Sequence, residues 1–136
     1  MERIYYDSRT GNVARFIEKV KEATGWEFCK IDADQQVFER GHLITFTTRF
    51  GEIPESTRQF LTHSGSYMDS VSSSGNRNWG RNFGVAADQI STNYGIPIVL
   101  KFELSGTQDD VAYFINHIKE KNYDDNRHRQ ELDSTQ

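Results

Sequence analysis

Leu43-Ile44-Thr45-Phe46-Thr47 is a short apolar and β-branched run, and Thr48-Arg49-Phe50-Gly51-Glu52-Ile53-Pro54 follows it directly. The run reads as a central strand. The loop after it leads to a proline suited to the first turn of a helix, from which Phe60 and Leu61 would face inward. The same order of strand, loop and helix recurs on both sides. Upstream, Ile4-Tyr5-Tyr6 predicts a strand and Ser8 to Asn12 a turn-rich loop. Val13, Phe16, Ile17 and Val20 then fall on one face of a helix that Gly25 stops. Phe28 to Ile31 reads as a second strand, and Asp32 to Gly41 as a polar loop or short irregular element. Downstream, Met68 to Ser72 is a weaker strand centred on Val71, and Ser73 to Asn82 is a loop. Phe83, Ala86, Ala87, Ile90 and Tyr94 repeat at helical spacing until Gly95, and Ile96 to Leu104 is the last strand. Thr107-Gln108-Asp109-Asp110 has the form of a capping box, with Asp in place of the preferred Glu or Gln. Val111, Phe114, Ile115 and Ile118 make the inner face of the final helix.

Strands alternating with helices imply βαβ units: an α/β protein with a doubly wound, five-stranded parallel sheet and helices on both faces. In that class ligands bind beyond the carboxyl ends of the strands, where strand order reverses. The loops after strands one, three and four are therefore the places to look. Residues 1–120 read as one domain. The stretch 121–136, charged and nearly free of apolar residues, reads as a disordered tail.

Composition narrows the chemistry. The chain has 136 residues and a formal net charge of −4. That is the size of a single core, and the charge is a poor match to a general nucleic-acid binder, which needs a clustered basic face. No apolar run approaches the roughly 20 residues of a membrane helix, and the first residues lack the apolar stretch of a signal peptide, so a cytoplasmic protein is expected. The single cysteine, Cys29, excludes an internal disulfide and a Cys-x-x-Cys pair, so any redox chemistry must be carried by a cofactor. It reads as a small buried apolar residue. His42, His63, His117 and His128 are scattered, not clustered at metal-ligand spacing, and read as surface residues. No protein metal site is expected. Tyr5 and Tyr6 read as packing residues.

Three loops carry the binding chemistry. Ser8-Arg9-Thr10-Gly11-Asn12 brings hydroxyls and a glycine to a helix N-terminus, where unpaired N–H groups and the helix dipole favour an anion such as a phosphate monoester. The same residues also suit a plain Ser/Thr cap. They form neither a Walker A loop nor Gly-x-Gly-x-x-Gly. Thr47-Thr48-Arg49-Phe50-Gly51 offers an aromatic and a glycine, which suit a flat ring against backbone or an ordinary turn with Phe50 in the core. Ser74 to Phe83 is the most informative, with Gly75 and Gly80 bracketing Asn76, Arg77, Asn78 and Trp79. Glycine and asparagine tolerate left-handed backbone and can aim N–H and C=O groups at a ligand. Together the loops have the outline of a site for FMN: phosphate at one end, a planar heterocycle at the other.

Ser8-Arg9-Thr10-Gly11-Asn12-Val13 resembles the phosphate loop of flavodoxin-like proteins. Ser74-Gly75-Asn76-Arg77-Asn78-Trp79-Gly80-Arg81-Asn82-Phe83 resembles the ring-binding loop of the NrdI family, flavoproteins of class Ib ribonucleotide reductase systems. Phe50-Gly51-Glu52-Ile53-Pro54, Tyr94-Gly95-Ile96-Pro97 and Lys101-Phe102-Glu103-Leu104-Ser105-Gly106-Thr107 extend the likeness, which runs from about Ile4 to Ile118. The resemblance implies strand order 2-1-3-4-5 and bound FMN. Ser8, Arg9, Thr10, Gly11, Asn12 and Val13 would hold the phosphate. Thr47, Thr48, Arg49, Phe50 and Gly51 would flank the ring and ribityl chain, and Ser74, Gly75 and Asn76 would meet the ring's polar edge. Trp79 would shield a ring face or shape its entrance, while Gly80, Asn82 and Phe83 would close the site. No side chain need act as acid, base or nucleophile, because the flavin carries the chemistry.

The resemblance further implies that reduced FMN converts dioxygen to a superoxide- or peroxide-level oxidant. That oxidant would serve the dimanganese β subunit of the reductase, where the tyrosyl radical forms. A flavodoxin reductase or similar protein would supply electrons. A general flavodoxin shuttle is the alternative. A receiver-like domain would need a phosphorylatable Asp after a strand; Asp7 follows strand one, but none ends strand three. The ring loop, usually acidic in flavodoxins, is neutral to basic here with Arg77 and Arg81, and Arg49 lies in the neighbouring loop, so a less negative second reduction step is expected.

Overall fold

The computed structural model describes residues 2–32 and 34–120, the side chains of Trp79, Arg81 and Asn82 excepted. The expected tail, 121–136, lies outside the described residues. Five strands, β1 (Arg3–Tyr6), β2 (Glu27–Lys30), β3 (Gly41–Phe46), β4 (Met68–Gly75) and β5 (Ile98–Glu103), form one sheet. All pairs are parallel and the order is β2-β1-β3-β4-β5, as expected. The connections carry α1 (Asn12–Thr24), α2 (Glu55–Ser64) and α3 (Val85–Tyr94), and residues 108–120 form a last helix, α4.

The helices present the apolar faces read from their spacing, except that Tyr94, read on the inner face of α3, is 38% exposed. Val13, Phe16, Ile17 and Val20 of α1 are buried with Phe102 and with Val111, Phe114, Ile115 and Ile118 of α4 on one face of the sheet. Phe60 and Leu61 of α2 and Ala86, Ala87 and Ile90 of α3 cover the other face. Helices therefore lie on both sides, as a parallel sheet requires. Thr107 and Asp110 form the expected reciprocal cap of α4. The Thr107 hydroxyl accepts from the Asp110 amide at 3.1 Å, and the Asp110 carboxylate accepts from the Thr107 amide at 2.8 Å.

Several boundaries differ from the sequence reading. β4 does not stop at Ser72 but continues through Ser73, Ser74 and Gly75, paired to β3 and β5 along its length. Serine is a weak strand former in isolation. Here the hydroxyls are buried and three have partners: Ser70 meets His42 Nδ1 at 2.7 Å, Ser73 donates to the Gly84 carbonyl at 2.8 Å and Ser74 donates to the Leu104 carbonyl at 2.5 Å. Phe83 does not belong to α3, which begins after Gly84 in left-handed backbone. β5 starts at Ile98 and ends at Glu103, leaving Leu104 in the turn beyond it.

Two side-chain readings change as well. His42 is not a surface residue. It is buried in β3, between Ser70 and the Glu2 carboxylate, which lies 3.0 Å from its Nε2. Cys29 is only partly buried, with its sulfur 3.8 Å from the Arg3 guanidinium.

Among the described residues, the Ser72 hydroxyl is the buried side-chain polar atom without a hydrogen-bond partner. An unsatisfied buried hydroxyl opposes folding, so Ser72→Ala is expected to stabilise the domain by about 1 kcal/mol. Urea denaturation checks this, and a loss of stability would show that the hydroxyl is satisfied in solution.

Candidate functional site

The carboxyl ends of β1, β3 and β4 open into a cleft of about 360 Å³, at the reversal of strand order. Its first wall is the loop between β1 and α1. Gly11 turns the chain into the helix with φ of 96° and contributes no side-chain cap. The Ser8 hydroxyl takes up the Ala14 amide at 3.2 Å, and Asn12 Oδ1 accepts from Arg15 at 2.5 Å. The first helical backbone bond runs from the Arg15 amide to the Gly11 carbonyl. The amides of Asn12 and Val13 are thus left without a partner among the described residues, and they sit at the positive end of the helix dipole.

Behind this loop lies Asp7, buried at the end of β1. Its carboxylate accepts hydrogen bonds from Ser56 at 2.5 Å and Thr57 at 2.6 Å, tying β1 to the first turn of α2.

The second wall follows β3. Thr47 is buried; its amide donates to the Ser74 carbonyl at 2.9 Å and its hydroxyl accepts from the Ala86 amide at 3.2 Å. It therefore joins β3, β4 and the start of α3 beneath the cleft. Thr48 closes a tight turn by pairing with Glu52 and Gly51, with Gly51 at φ of 75°. Arg49 and Phe50 stand at its tip, and Phe50 is 80% exposed, not tucked into the core.

The third wall is the end of β4. Asn76 accepts from the Asn78 amide at 2.9 Å, and the chain then makes 3₁₀ turns over Arg77–Asn82. Arg77 lies over the Phe83 ring at 4.6 Å and is 4.0 Å from Glu103, whose carboxylate also accepts its amide. Its charge is therefore partly offset, and Arg49 and Arg9 are the cations that line the cleft itself.

Ser8, Arg9, Thr10, Asn12, Val13, Thr47, Thr48, Arg49, Ser74, Gly75 and Asn76 all line this one cleft. Gly11, Gly51, Gly80, Phe50 and Phe83 shape or border the loops without lining it. The side chains of Trp79 and Asn82 lie outside the description. Phe46 and Leu104 also line the cleft and were not singled out from sequence. Both read as strand residues; the signal is their position at or just past a carboxyl strand end, where side chains border the ligand crevice.

Among the described residues, no Asp or Glu lines the cleft. In a chain of net charge −4 this separates the site from the rest of the surface and suits an anionic ligand. Phe46, Val13 and Leu104 add apolar surface for a flat group. The displaced ionisations lie elsewhere; burial, for example, pushes the Tyr5 phenol above its ordinary range as its hydroxyl donates to the Glu39 carbonyl at 2.9 Å. Among the described residues no three His, Cys, Asp or Glu converge as metal ligands, and no helix is long and apolar enough to cross a membrane.

A 2-1-3-4-5 parallel sheet with its cleft at this switch point defines the flavodoxin-like class. Solved flavodoxins share the fold. A short-chain flavodoxin associated with a non-canonical PDU bacterial microcompartment has a TM-score of 0.63 at 17% identity, over 83% of this chain and 90% of that one. Oxidised flavodoxin 2 from Bacillus cereus has a TM-score of 0.58 at 21% identity, over 86% and 94%. The chain belongs to the NrdI flavodoxin-like family, whose model matches residues 4–116. Protein NrdI of Bacillus licheniformis is 42% identical over 119 residues, 88% of each chain.

Proposed function

We propose that this chain is a cytoplasmic flavoprotein that binds FMN in the cleft and helps activate the metal subunit of a class Ib ribonucleotide reductase. One observation carries the FMN reading. The cleft joins a helix N-terminus with unpaired amides to an apolar wall, and among the described residues two arginines but no carboxylate line it. The family membership supports the activation role.

Ser8, Thr10 and the amides of Asn12 and Val13 would hold the phosphate, with Arg9 adding charge. Gly11 lets the chain enter the helix without a side chain over the anion. Thr47 and Thr48 would flank the ribityl chain, and Gly75 and Asn76 would offer backbone groups to the ring's polar edge. Arg49 would favour negative charge gained on reduction, which keeps the expectation of a less negative second reduction step. Bound FMN would supply electrons to dioxygen, giving the oxidant that the dimanganese–tyrosyl radical site of the partner needs. The protein's part is to bind, orient and expose the ring. A flavodoxin reductase or similar donor would reduce it.

The purified chain is expected to take up one FMN and, when reduced and exposed to oxygen, to raise the tyrosyl-radical signal of the manganese-loaded metal subunit in electron paramagnetic resonance. A chain whose visible spectrum ignores added FMN would refute the flavin reading. A yellow protein that yields no radical would leave a general electron shuttle.

A further inference from the structure

Leu104 is the non-glycine residue with positive φ among the described residues, at 52°. An L side chain in left-handed backbone is strained, and glycine or asparagine would take that conformation more readily. The strain is held from both sides. The Leu104 amide donates to the Gly75 carbonyl at 2.9 Å, and its carbonyl accepts from the Ser74 hydroxyl at 2.5 Å. Lys19 fixes the rest of the turn through the carbonyls of Ser105 and Gly106, at 3.2 and 2.9 Å. The residues that hold Leu104, Ser74 and Gly75, themselves line the cleft.

The side chain stands outside the buried core. Leu104 is 47% exposed and belongs to neither core cluster, yet it lines the cleft. A large apolar side chain kept in strained backbone, half in solvent, beside the apolar wall formed by Val13 and Phe46 has one evident use: contact with an apolar part of the ligand. Strain of this kind concentrates at ligand-binding positions.

We propose that Leu104 is a ligand-contacting residue whose side chain covers the flat ring bound in the cleft, and that its left-handed backbone is maintained for that contact. The proposal rests on the FMN reading above. The contact is with the ring and not the phosphate, so it serves FMN and riboflavin alike.

Leu104→Gly and Leu104→Asn separate binding from folding, because both residues relieve the backbone while removing the apolar contact. The full-length variants are titrated with FMN and with riboflavin by flavin fluorescence, and the ligand-free proteins are melted by circular dichroism. Expected are Kd values raised about tenfold for both flavins, with a Tm equal to or above that of the wild type. Affinities within threefold of wild type would overturn the proposal and leave the FMN reading intact. A lowered Tm in both ligand-free variants would also overturn it, by showing that Leu104 serves the fold. A wild-type chain that binds neither flavin would remove the FMN reading and this proposal with it.

Discussion

Phe16→Ala is expected to destabilise the domain by about 3–5 kcal/mol, the range for an aromatic truncated in a closed core. Small domains are stable by only about 5–15 kcal/mol, so the variant should be partly unfolded at moderate temperature. Phe16 is fully buried on α1. Its ring stacks on Phe102 of β5 at 4.1 Å and meets the edge of Phe114 of α4 at 5.7 Å. It also lies against Gly106, where an added Cβ would come within 2.7 Å of the ring. One side chain thus joins a helix, a strand, a second helix and the turn between the last two. Collapse around the void is hindered because these neighbours are fixed by separate hydrogen bonds. Phe16→Leu keeps most of the volume and should cost clearly less. Urea midpoints of the two variants check the ordering, and a loss below about 1 kcal/mol for Phe16→Ala would show that the core repacks freely. Because α1 begins at the cleft loop proposed to hold the FMN phosphate, the proposed FMN affinity should fall in step with stability.

Gly75→Ala is expected to act on the site more directly. A Cβ at residue 75 would stand 2.6 Å from the Gly84 amide nitrogen and 3.2 Å from its Cα. The obstacle is backbone, which cannot swing aside as a long side chain can. Both partners are pinned: Gly75 accepts the Leu104 amide, and the Gly84 carbonyl accepts the Ser73 hydroxyl at 2.8 Å. The start of α3 must therefore move away from β4, which also loosens Thr47, the acceptor for the Ala86 amide. Overpacking of this kind costs about 1–3 kcal/mol, and the rigid neighbour places this variant near the upper end. On the FMN binding proposed above, affinity should drop more than tenfold, because the displaced segments line the cleft or support it. Calorimetric titration of the folded fraction measures this. Wild-type affinity would mean that the β4–α3 approach has no bearing on the ligand.

The two variants address different levels of the same molecule. The first removes packing legible in the sequence, since Phe16 falls on the apolar face of α1. The second depends on an approach between two glycines nine residues apart, 75 and 84, that no local pattern announces.

Much of the fold was legible because burial imposes periodicity. Helices read as one-faced because each has one side on the sheet, and strands β1 and β3 read as apolar runs because both faces are covered. The three loops were legible through residue types that only unusual backbone or ligand contact favours. The carboxyl half of β4 is hidden in the sequence because its serines look like loop. They become strand only when β3 and β5 supply ladder partners and neighbouring groups receive most of their hydroxyls. His42 was misplaced for the same reason: its burial depends on Ser70 and Glu2, contributed by strand β4 and the residue preceding β1.

The sequence alone determined the alternation of strands and helices, the inward faces of those helices, and the three loops that carry polar, glycine-rich chemistry. These follow from local propensity and from periodicities that a linear chain displays. Only the tertiary structure decided that Phe46 and Leu104 join the cleft, that Phe50 stays outside it, and that Leu104 is held in left-handed backbone. Those outcomes arise from hydrogen bonds and contacts between segments distant in the chain, which exist only once the sheet has assembled.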